Sequence, residues 1–366
     1  MLKTSLNQIH KDQHAKMVEF AGYEMPIQYS EGMLKEHLWV RQNNVGIFDV
    51  SHMGQFIIEG ENVAQFLCKI TPSNFIITKP FQAKYSVLTN KNGGIIDDLI
   101  ITRLEENKFF IVLNAACKQK DVNWIKSNLN DNISFNELSS NSLIAIQGEK
   151  SQEILSQLIN EDNLADLAYM NLGIFTYNDQ KIYISRTGYT GEDGFEVSIH
   201  NDHAAQFWLD LSKYPEVKPI GLGARDSLRL EMGYPLYGHD LNDNTTPIEA
   251  GLSWVVSKTN NSFIGSDIII NQKNNGANKK RFGIKLTDRG VIREGFEVSK
   301  NNNIISTLTS GGYSPSLQAS IGMGYFDSKH ITIGDKVEVI IRNKKVSAII
   351  TEPNFIKART KTLKKL

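Results

Sequence analysis

The sequence contains few cysteines and no excess of either charge, and each shortage excludes a class of protein. Its two cysteines among 366 residues, Cys68 and Cys117, lie in unrelated segments. They are too few for a disulfide scaffold or the usual cysteine-rich zinc site, and this usage fits a reducing compartment. The 40 basic and 40 acidic side chains cancel to a formal net charge of zero. Since nucleic-acid binders usually carry a basic excess, we expect no nucleic-acid partner, although a local basic patch is compatible with this balance.

Long apolar runs are also lacking. No stretch of about 18 uninterrupted apolar residues occurs, which predicts that nothing spans a membrane. Residues 1–17 have neither the apolar core of a signal peptide nor the Arg/Ser-rich composition of a transit peptide. Apolar residues make up 40% and charged residues 22%, as in soluble globular proteins, and the length predicts two or three domains. We expect a cytoplasmic protein or a mature chain after import.

The first part of the chain predicts an α+β layer. Apolar spacing indicates a helix over residues 31–46, with Gly46 as its C-cap, and a second helix over residues 62–70. A third helix is predicted over residues 115–129. Between the second and third helices lie three β-rich runs, of which the first two are joined by an Asn-Gly turn signal. These runs are residues 84–89, 94–104 and 108–114.

The second part of the chain predicts another α+β stretch and then a change of pattern. Strands and helices alternate over residues 143–232. The polar segment 272–280 predicts a linker and a domain boundary. After it, short strands with Gly or Asn turns predict a small all-β module, either a barrel or a sandwich.

A first motif places two carboxylates inside an apolar strand. Asp97 and Asp98 interrupt the run IIDDLII, and neighbouring side chains on a strand point to opposite faces. One of the two therefore faces the core side or a cleft, where an unpartnered carboxylate is costly. Two interpretations remain open for that residue: an aspartate satisfied by ordinary hydrogen bonds, or a carboxylate directed at a cationic or N–H-bearing ligand.

A second motif is the glycine-rich segment 185–196. Three glycines predict a tight loop between strands, but the segment is neither a Walker loop nor a dinucleotide fingerprint. An ordinary long hairpin is the competing interpretation. Glu196 begins the next strand and is a candidate for pointing into a cleft.

A third motif, at residues 221–231, predicts a helix with two arginines on one face. Arg225 and Arg229 are separated by four residues, and an arginine fork matches a carboxylate. The alternative is internal ion pairing with neighbouring acids. The histidines have no metal-ligand spacing, and the polar surroundings of His10 and His14 predict solvated side chains. We therefore expect no metal.

Taken together, these motifs resemble those of the glycine cleavage T-protein, the tetrahydrofolate-dependent aminomethyltransferase. The resemblance extends nearly end to end, and the motifs occur in one order. They are residues 17–29, 46–55, 84–100, 114–125, 185–197, 221–241, 242–256 and 309–317.

The resemblance implies an α+β fold in which three domains form a clover-leaf around a central folate site, with an all-β barrel as the C-terminal domain. The first domain is expected to be discontinuous, over residues 1–52 and 139–245. The second is expected over residues 53–138 plus 246–278, and the third over residues 279–366.

The resemblance also implies a reaction and its partners. The family takes the aminomethyl group from the lipoyl arm of the H-protein, releases ammonia, forms 5,10-methylenetetrahydrofolate and leaves the arm as dihydrolipoyl. We therefore expect tetrahydrofolate as co-substrate, lipoylated H-protein as partner, and no metal, nucleic acid or membrane. The expected compartment is the cytoplasm of a bacterium, or the mitochondrial matrix if the source is a eukaryote.

Site residues follow from the matching motif positions. The essential aspartate of the family corresponds to Asp98, and the acidic residue that recognises the pterin ring corresponds to Glu196. Further folate or substrate positions correspond to Tyr85, Asn114, Tyr189 and Arg225. Weaker candidates are Met53, Tyr237 and Trp254, and, in the tail, Phe355 and Lys357.

Relatives with the same fold supply the alternatives. One is a folate-dependent demethylase of a small sulfonium or methylamine substrate, and others form the C-terminal half of sarcosine or dimethylglycine dehydrogenases. A third is a non-catalytic folate-binding assembly factor. The intact motifs and the lack of a fused flavin domain favour the glycine cleavage enzyme.

Overall fold

The chain alternates between helices and strands up to residue 275 and then continues with strands. The computed structural model describes residues 1–361. Its α-helices are α1 (Asn7–Asp12), α2 (Met33–Arg41), α3 (Val63–Ile70), α4 (Lys118–Asn128), α5 (Ser151–Ile159), α6 (Asn201–Leu211), α7 (Leu222–Glu231) and α8 (Ser266–Asn275). None of the helices in this range has the length and apolar character needed to cross a bilayer.

The strands build a small hairpin, two sheets and a barrel. In chain order they are β1 (Lys16–Phe20), β2 (Tyr23–Gln28), β3 (Val45–Asp49), β4 (Gly54–Gly60), β5 (Ala83–Thr89), β6 (Ile95–Glu105), β7 (Lys108–Leu113), β8 (Ile133–Glu137), β9 (Asn141–Gln147), β10 (Leu172–Tyr177), β11 (Gln180–Ser185), β12 (Gly194–His200), β13 (Val217–Pro219), β14 (Lys279–Leu286), β15 (Glu297–Lys300), β16 (Asn303–Ser314), β17 (Ala319–Asp327), β18 (Lys336–Ile341) and β19 (Lys344–Thr351).

The first sheet has the order β10-β11-β12-β9-β3-β13 and is covered on both faces. In β9, Ile144 and Ile146 pack with side chains of α5 and α6. Leu143 and Ala145 alternate with them and pack with side chains of α2 and α7. Because both faces of the strand are buried, all four residues are apolar instead of alternating with polar ones.

The second sheet has the antiparallel order β5-β6-β7-β4-β8. Helices α3 and α4 pack on one face. Val87 and Ile95, from the paired strands β5 and β6, pack instead against a later part of the chain that includes Leu241, Ala250 and Phe263. The segment after α7 thus leaves the first sheet and covers the second.

The turn between β5 and β6 is held by that later segment. Asn90 donates from its side-chain amide to the carbonyl oxygen of Asp243 at 2.8 Å, and its own side-chain oxygen accepts from the backbone N–H of Asn92 and Gly94. A Cβ on Gly94 would lie 1.8 Å from the Asp243 carbonyl oxygen. The close approach of the two backbones therefore requires glycine here.

The C-terminal strands close into a six-stranded barrel in the order β14-β17-β16-β15-β18-β19. Closure comes from β14, which pairs with both β17 and β19. Its interior is filled by apolar side chains, among them Phe282, Ile284, Val298, Leu308, Val339 and Ile350. The predicted α+β fold with a C-terminal barrel is confirmed.

A buried carboxylate joins the first sheet to the barrel. Glu231, at the end of α7, lies 3.1 Å from Nε of Arg41 and 3.1 Å from Nε2 of His37, both on α2. It also accepts from the hydroxyl groups of Ser314 and Ser316. Burial opposes ionisation of Glu231, but these partners outweigh burial and lower its pKa to about 2. The Glu231 carboxylate therefore connects α7, α2 and the barrel strand β16.

Three expectations about local structure were wrong. Helix α2 ends at Arg41, and Gly46 lies inside β3, where a Cβ would lie 2.6 Å from side-chain atoms of Val40 and Ile220. His10 is fully buried, because its ring bonds to Asp49 at 2.9 Å and to the Tyr29 hydroxyl group, although His14 is exposed as predicted. The polar segment predicted as a linker begins inside α8, which continues to Asn275.

Candidate active site

Both sheets and the barrel contribute side chains around Tyr85 on β5. The ring of Tyr85 lies against Trp254, with 5.4 Å between ring centroids. Burial raises the pKa of Tyr85, and the charges of Asp98 and Tyr189 raise it further, whereas Arg281 on the barrel strand β14 acts in the opposite direction. Tyr189 belongs to the loop between β11 and β12, so each of the three β structures supplies a group here.

Asp98 is the half-buried carboxyl group of this set. It lies on β6 opposite Val87 of β5, and the side-chain amide of Asn114 donates to its Oδ1 and to its carbonyl oxygen, both at 3.0 Å. Burial and then the charge of Asp97 raise the pKa of Asp98 to about 8. A carboxyl group with this pKa can exchange a proton near neutral pH.

Asp97 points the other way and is fully buried. Its Oδ1 accepts from the same Asn114 amide at 3.1 Å, and its carboxyl group lies within hydrogen-bonding reach of that of Asp121 on α4. Of the two interpretations, the aspartate that is hydrogen-bonded within the protein describes Asp97. The carboxylate available to a ligand describes Asp98, which faces Tyr85.

Glu196 and Arg225 form a second polar group on the first sheet. Glu196 lies on β12, half-buried, and its Oε2 accepts from the Thr187 hydroxyl group at 2.5 Å. Arg225 projects from α7 with its guanidinium 4.9 Å from the centroid of the Tyr189 ring. Burial lowers the pKa of Arg225, and the nearby charge of Glu196 opposes that change. The same carboxylate contributes to a raised pKa of Tyr169, which burial mainly causes.

The two arginines of the third motif have different environments. Arg229 bonds to Asp226 at 2.8 Å and to Asp240 at 3.0 Å, as the ion-pair interpretation predicts. Arg225 makes no ion pair with any residue in the described range 1–361. Its guanidinium therefore has hydrogen-bonding capacity that the protein does not use.

The glycine-rich loop is held by an internal ion pair. Arg186 bonds through Nη2 to Asp193 at 2.8 Å, and both side chains are buried. Gln147 on β9 donates to the Thr187 carbonyl oxygen and accepts from the Thr190 hydroxyl group. These contacts hold the loop against the first sheet.

The weaker candidates occupy different places. Met53 packs beside the cluster between β3 and α7. Tyr237 accepts from Lys120 at 2.5 Å and packs with the segment on the second sheet, and the Trp254 side chain beside Tyr85 is 64% exposed. Phe355 packs with the cluster between α7 and the barrel, and Lys357 is exposed.

Sequence reasoning missed several side chains around these groups. Tyr234 stacks on Tyr189 with centroids 5.6 Å apart, and Tyr169 lies near Glu196. In the tail, Arg359 bonds to the buried carboxylate of Glu192 at 2.6 Å. Asp121 had a signal, since it lies four residues before the buried Ile125 and so interrupts an apolar helical stripe. Within residues 1–361 no cluster of His, Cys, Asp or Glu is arranged to hold a metal ion.

Comparisons with known proteins agree on one family. The family profile of the GCVT N-terminal domain matches residues 6–260, and that of the glycine cleavage T-protein C-terminal barrel domain matches residues 279–357. An aminomethyltransferase of Caldanaerobacter subterraneus subsp. tengcongensis is 40% identical over 98% of this chain and 97% of its own length. One of Flavobacterium psychrophilum is 41% identical over 98% and 100%.

A solved structure shows the same architecture. The crystal structure of glycine cleavage system aminomethyltransferase T from Bartonella henselae superposes with a TM-score of 0.92 at 34% sequence identity. The match covers 98% of this chain and 99% of that one, so it includes the barrel as well as both sheets.

Proposed function

Because this chain belongs to the glycine cleavage T-protein family of aminomethyltransferases, we propose that it transfers the methylene of an aminomethyl group from a lipoylated H-protein to tetrahydrofolate. The carbon–sulfur and carbon–nitrogen bonds of the donor break, and the methylene carbon bonds to N5 and N10 of the folate. The folate loses its N5 and N10 protons: one goes to the sulfur, which becomes the dihydrolipoyl thiol, and the other leaves with the nitrogen as ammonia. The observation that carries the proposal is the half-buried Asp98 carboxyl group between Tyr85 and Asn114.

Asp98 acts at the reacting carbon. Positive charge develops on the methylene as ammonia leaves, and a carboxylate placed beside it stabilises that charge. With its pKa near 8, Asp98 is largely protonated in the free protein at neutral pH. An arriving cationic aminomethyl group favours ionisation, since an opposite charge nearby stabilises the carboxylate. Binding of the ammonium-bearing substrate therefore converts Asp98 to the carboxylate form that acts in catalysis.

Glu196 and Arg225 hold the pterin end of the folate. A pterin edge presents adjacent N–H donors, and a carboxylate accepts them in bidentate fashion. Thr187 fixes one Glu196 oxygen, which leaves the other free to orient. The unpaired Arg225 fork meets carbonyl or ring-nitrogen acceptors of the same ring system, and Tyr189 and Tyr234 supply aromatic walls.

The weaker candidates have secondary roles in this proposal. Trp254 covers the ligand beside Tyr85, since most of its ring is exposed in the free protein. Lys357, an exposed cation of the tail, meets the anionic glutamate of the folate. Met53, Tyr237 and Phe355 stay predictions from their motif positions.

We also propose three domains with the predicted limits, residues 1–52 with 139–245, 53–138 with 246–278, and 279–366. Support comes from the packing of Ala250 and Phe263 on the second sheet, in one cluster with Val87 and Ile95. The proposed compartment is the bacterial cytoplasm, or the mitochondrial matrix of a eukaryote.

The decisive experiment measures ammonia released from aminomethyl-lipoyl H-protein with and without tetrahydrofolate. We expect release to depend on folate and methylenetetrahydrofolate to accumulate in equal amount. Methyltetrahydrofolate formed from a sulfonium donor would instead identify a demethylase, and folate binding without turnover would identify an assembly factor. A folded protein that releases no ammonia in the presence of folate would overturn the proposal.

A further inference from the structure

Behind Asp98 lies a buried pair of carboxyl groups, and no cation bonds to either of them in the described range 1–361. Asp97 on β6 and Asp121 on α4 both have fully buried side chains. Among residues 1–361, no N–H or O–H donor reaches Asp97 Oδ2 or either carboxyl oxygen of Asp121. The two carboxyl groups nevertheless lie within hydrogen-bonding reach of each other. Two ionised carboxylates would repel strongly in this position, because buried charges are poorly screened.

Among residues 1–361, no cation forms an ion pair with either carboxyl group. Burial raises the pKa of Asp97 and of Asp121, and for Asp121 the adjacent Asp97 is the next cause. Lys120 is the nearby cation, but its Nζ donates to the Ile96 carbonyl oxygen and to Tyr237. The remaining titratable neighbours are Asp98 itself and Cys117, and burial raises the pKa of the Cys117 thiol.

We propose that Asp97 and Asp121 hold one proton between them, and that Asp121 is a positioning residue for the Asp98 carboxyl group. Asp121 carries the proton and donates it to Asp97 Oδ2. The ionised Asp97 then accepts from Asp121 on one oxygen and from the Asn114 amide on the other. The same amide donates to Asp98 Oδ1, so Asp121 acts on the catalytic carboxyl group through Asp97 and Asn114.

The shared proton leaves one negative charge behind Asp98. That charge is the second cause, after burial, of the raised pKa of Asp98. If Asp121 is replaced by an apolar residue, Asp97 has one donor for two buried oxygens and takes up a proton itself. The charge behind Asp98 then disappears, and the pKa of Asp98 falls. An asparagine at position 121 instead supplies an N–H donor to Asp97 and preserves the charge.

The first test compares Asp121→Leu with Asp121→Asn in the aminomethyl-transfer assay, and it rests on the proposed function. We expect Asp121→Leu to move the acidic limb of the pH profile of kcat to lower pH by ~1 pH unit or more. Loss of the neighbouring Asp97 charge should lower the pKa of Asp98 by about that much. Asp121→Asn should restore the wild-type limb. A purely structural role would lower kcat or stability in Asp121→Leu without moving the limb. Equal movement in both variants, or none in either, overturns the inference.

The second test needs no activity and therefore separates this inference from the proposed function. Infrared spectra at neutral pH should show the carbonyl band of a protonated carboxylic acid in the Asp98→Asn background, where Asp98 no longer contributes one. Adding Asp121→Asn should remove the band, and adding Asp131→Asn, at an exposed aspartate, should leave it. Absence of the band from folded Asp98→Asn protein, or its survival in the Asp121→Asn double variant, overturns the inference.

Discussion

Replacing Asp98 with asparagine should greatly lower activity and, at alkaline pH, stabilise the fold. The folded state keeps a proton on Asp98 up to about pH 8, whereas an ordinary aspartate loses it near 3.8. Between those values the folded state binds more protons than the unfolded state, so wild-type stability falls as the pH rises. Asparagine has no proton to lose, and its side-chain oxygen still accepts from Asn114. The stability gap between variant and wild type should therefore widen from acid to alkaline pH.

The size of the stability difference between Asp98→Asn and wild type follows from the raised pKa of Asp98. Raising it from 3.8 to about 8 corresponds to at most ~6 kcal/mol once the group is ionised, at roughly 1.4 kcal/mol per pH unit. Asp98 is only half-buried, so solvent at the site screens its charge. We therefore expect a gap of ~1–3 kcal/mol, or a few degrees in melting temperature. Activity should fall by ~100-fold or more, as for other electrostatic and acid–base groups.

Thermal unfolding at about pH 6 and about pH 9 tests this reasoning, because up to about pH 8 the folded state keeps the Asp98 proton that the unfolded state has lost, so wild-type stability still falls between the two conditions. Asp131→Asn, the same substitution at an exposed site, is the matched control and should show no widening. A melting-temperature difference between Asp98→Asn and wild type that stays constant across the two pH values would refute the electrostatic argument. A loss of activity below ~10-fold would refute the catalytic role.

Three further predictions concern other parts of the molecule. Glu196→Gln should weaken tetrahydrofolate binding ~10–100-fold in calorimetric titration, because it removes charged hydrogen bonds worth roughly 1.5–3 kcal/mol, and an unchanged Kd would contradict the assignment. Glu231→Gln should cost ~1.5–3 kcal/mol in denaturant unfolding at neutral pH, since it removes the carboxylate that Arg41 and His37 share, while Arg41 keeps its ion pair with Glu192. The pKa of Glu231 is lowered to about 2, so the ionised side chain stabilises the wild-type fold fully above the ordinary glutamate pKa near 4.5. This stabilisation is lost as the pH falls toward 2, so the difference in unfolding free energy between wild type and Glu231→Gln should narrow in acid. Gly94→Ala should destabilise by ~1–3 kcal/mol, because the new Cβ meets the Asp243 carbonyl oxygen, and an unchanged melting curve would show that the turn can move away.

Local elements could be predicted from the sequence where the pattern has a short-range cause. The hairpin of β5 and β6 carries an Asn-Gly signal, and the strands of the barrel are separated by turn residues. Period-2 alternation also established that Asp97 and Asp98 point to opposite faces. For the third motif the sequence predicts either an arginine fork free to bind a carboxylate or an arginine in an internal ion pair. Arg225 has the first environment and Arg229 the second, and the sequence does not say which is which.

Burial required the tertiary structure, because it depends on segments far apart in the chain. His10 stands in a polar segment and was predicted to be solvated, yet Asp49 and Tyr29 enclose it. Gly46 looked like the end of a helix, but pairing with β9 and β13 makes it part of a strand. Both errors arise because composition reports a segment's neighbours along the chain, whereas packing decides what covers it.

The sequence by itself determined the hairpin of β5 and β6, the change to an all-β pattern in the C-terminal part and which residue types are available for chemistry. Only the tertiary structure decided how the two aspartates differ. Helix α4 places Asp121 against Asp97, and the end of β7 places the Asn114 amide between Asp97 and Asp98. A zero net charge conceals this arrangement, because a pKa responds to the few groups within several ångströms of a carboxyl group and not to the sum over the chain.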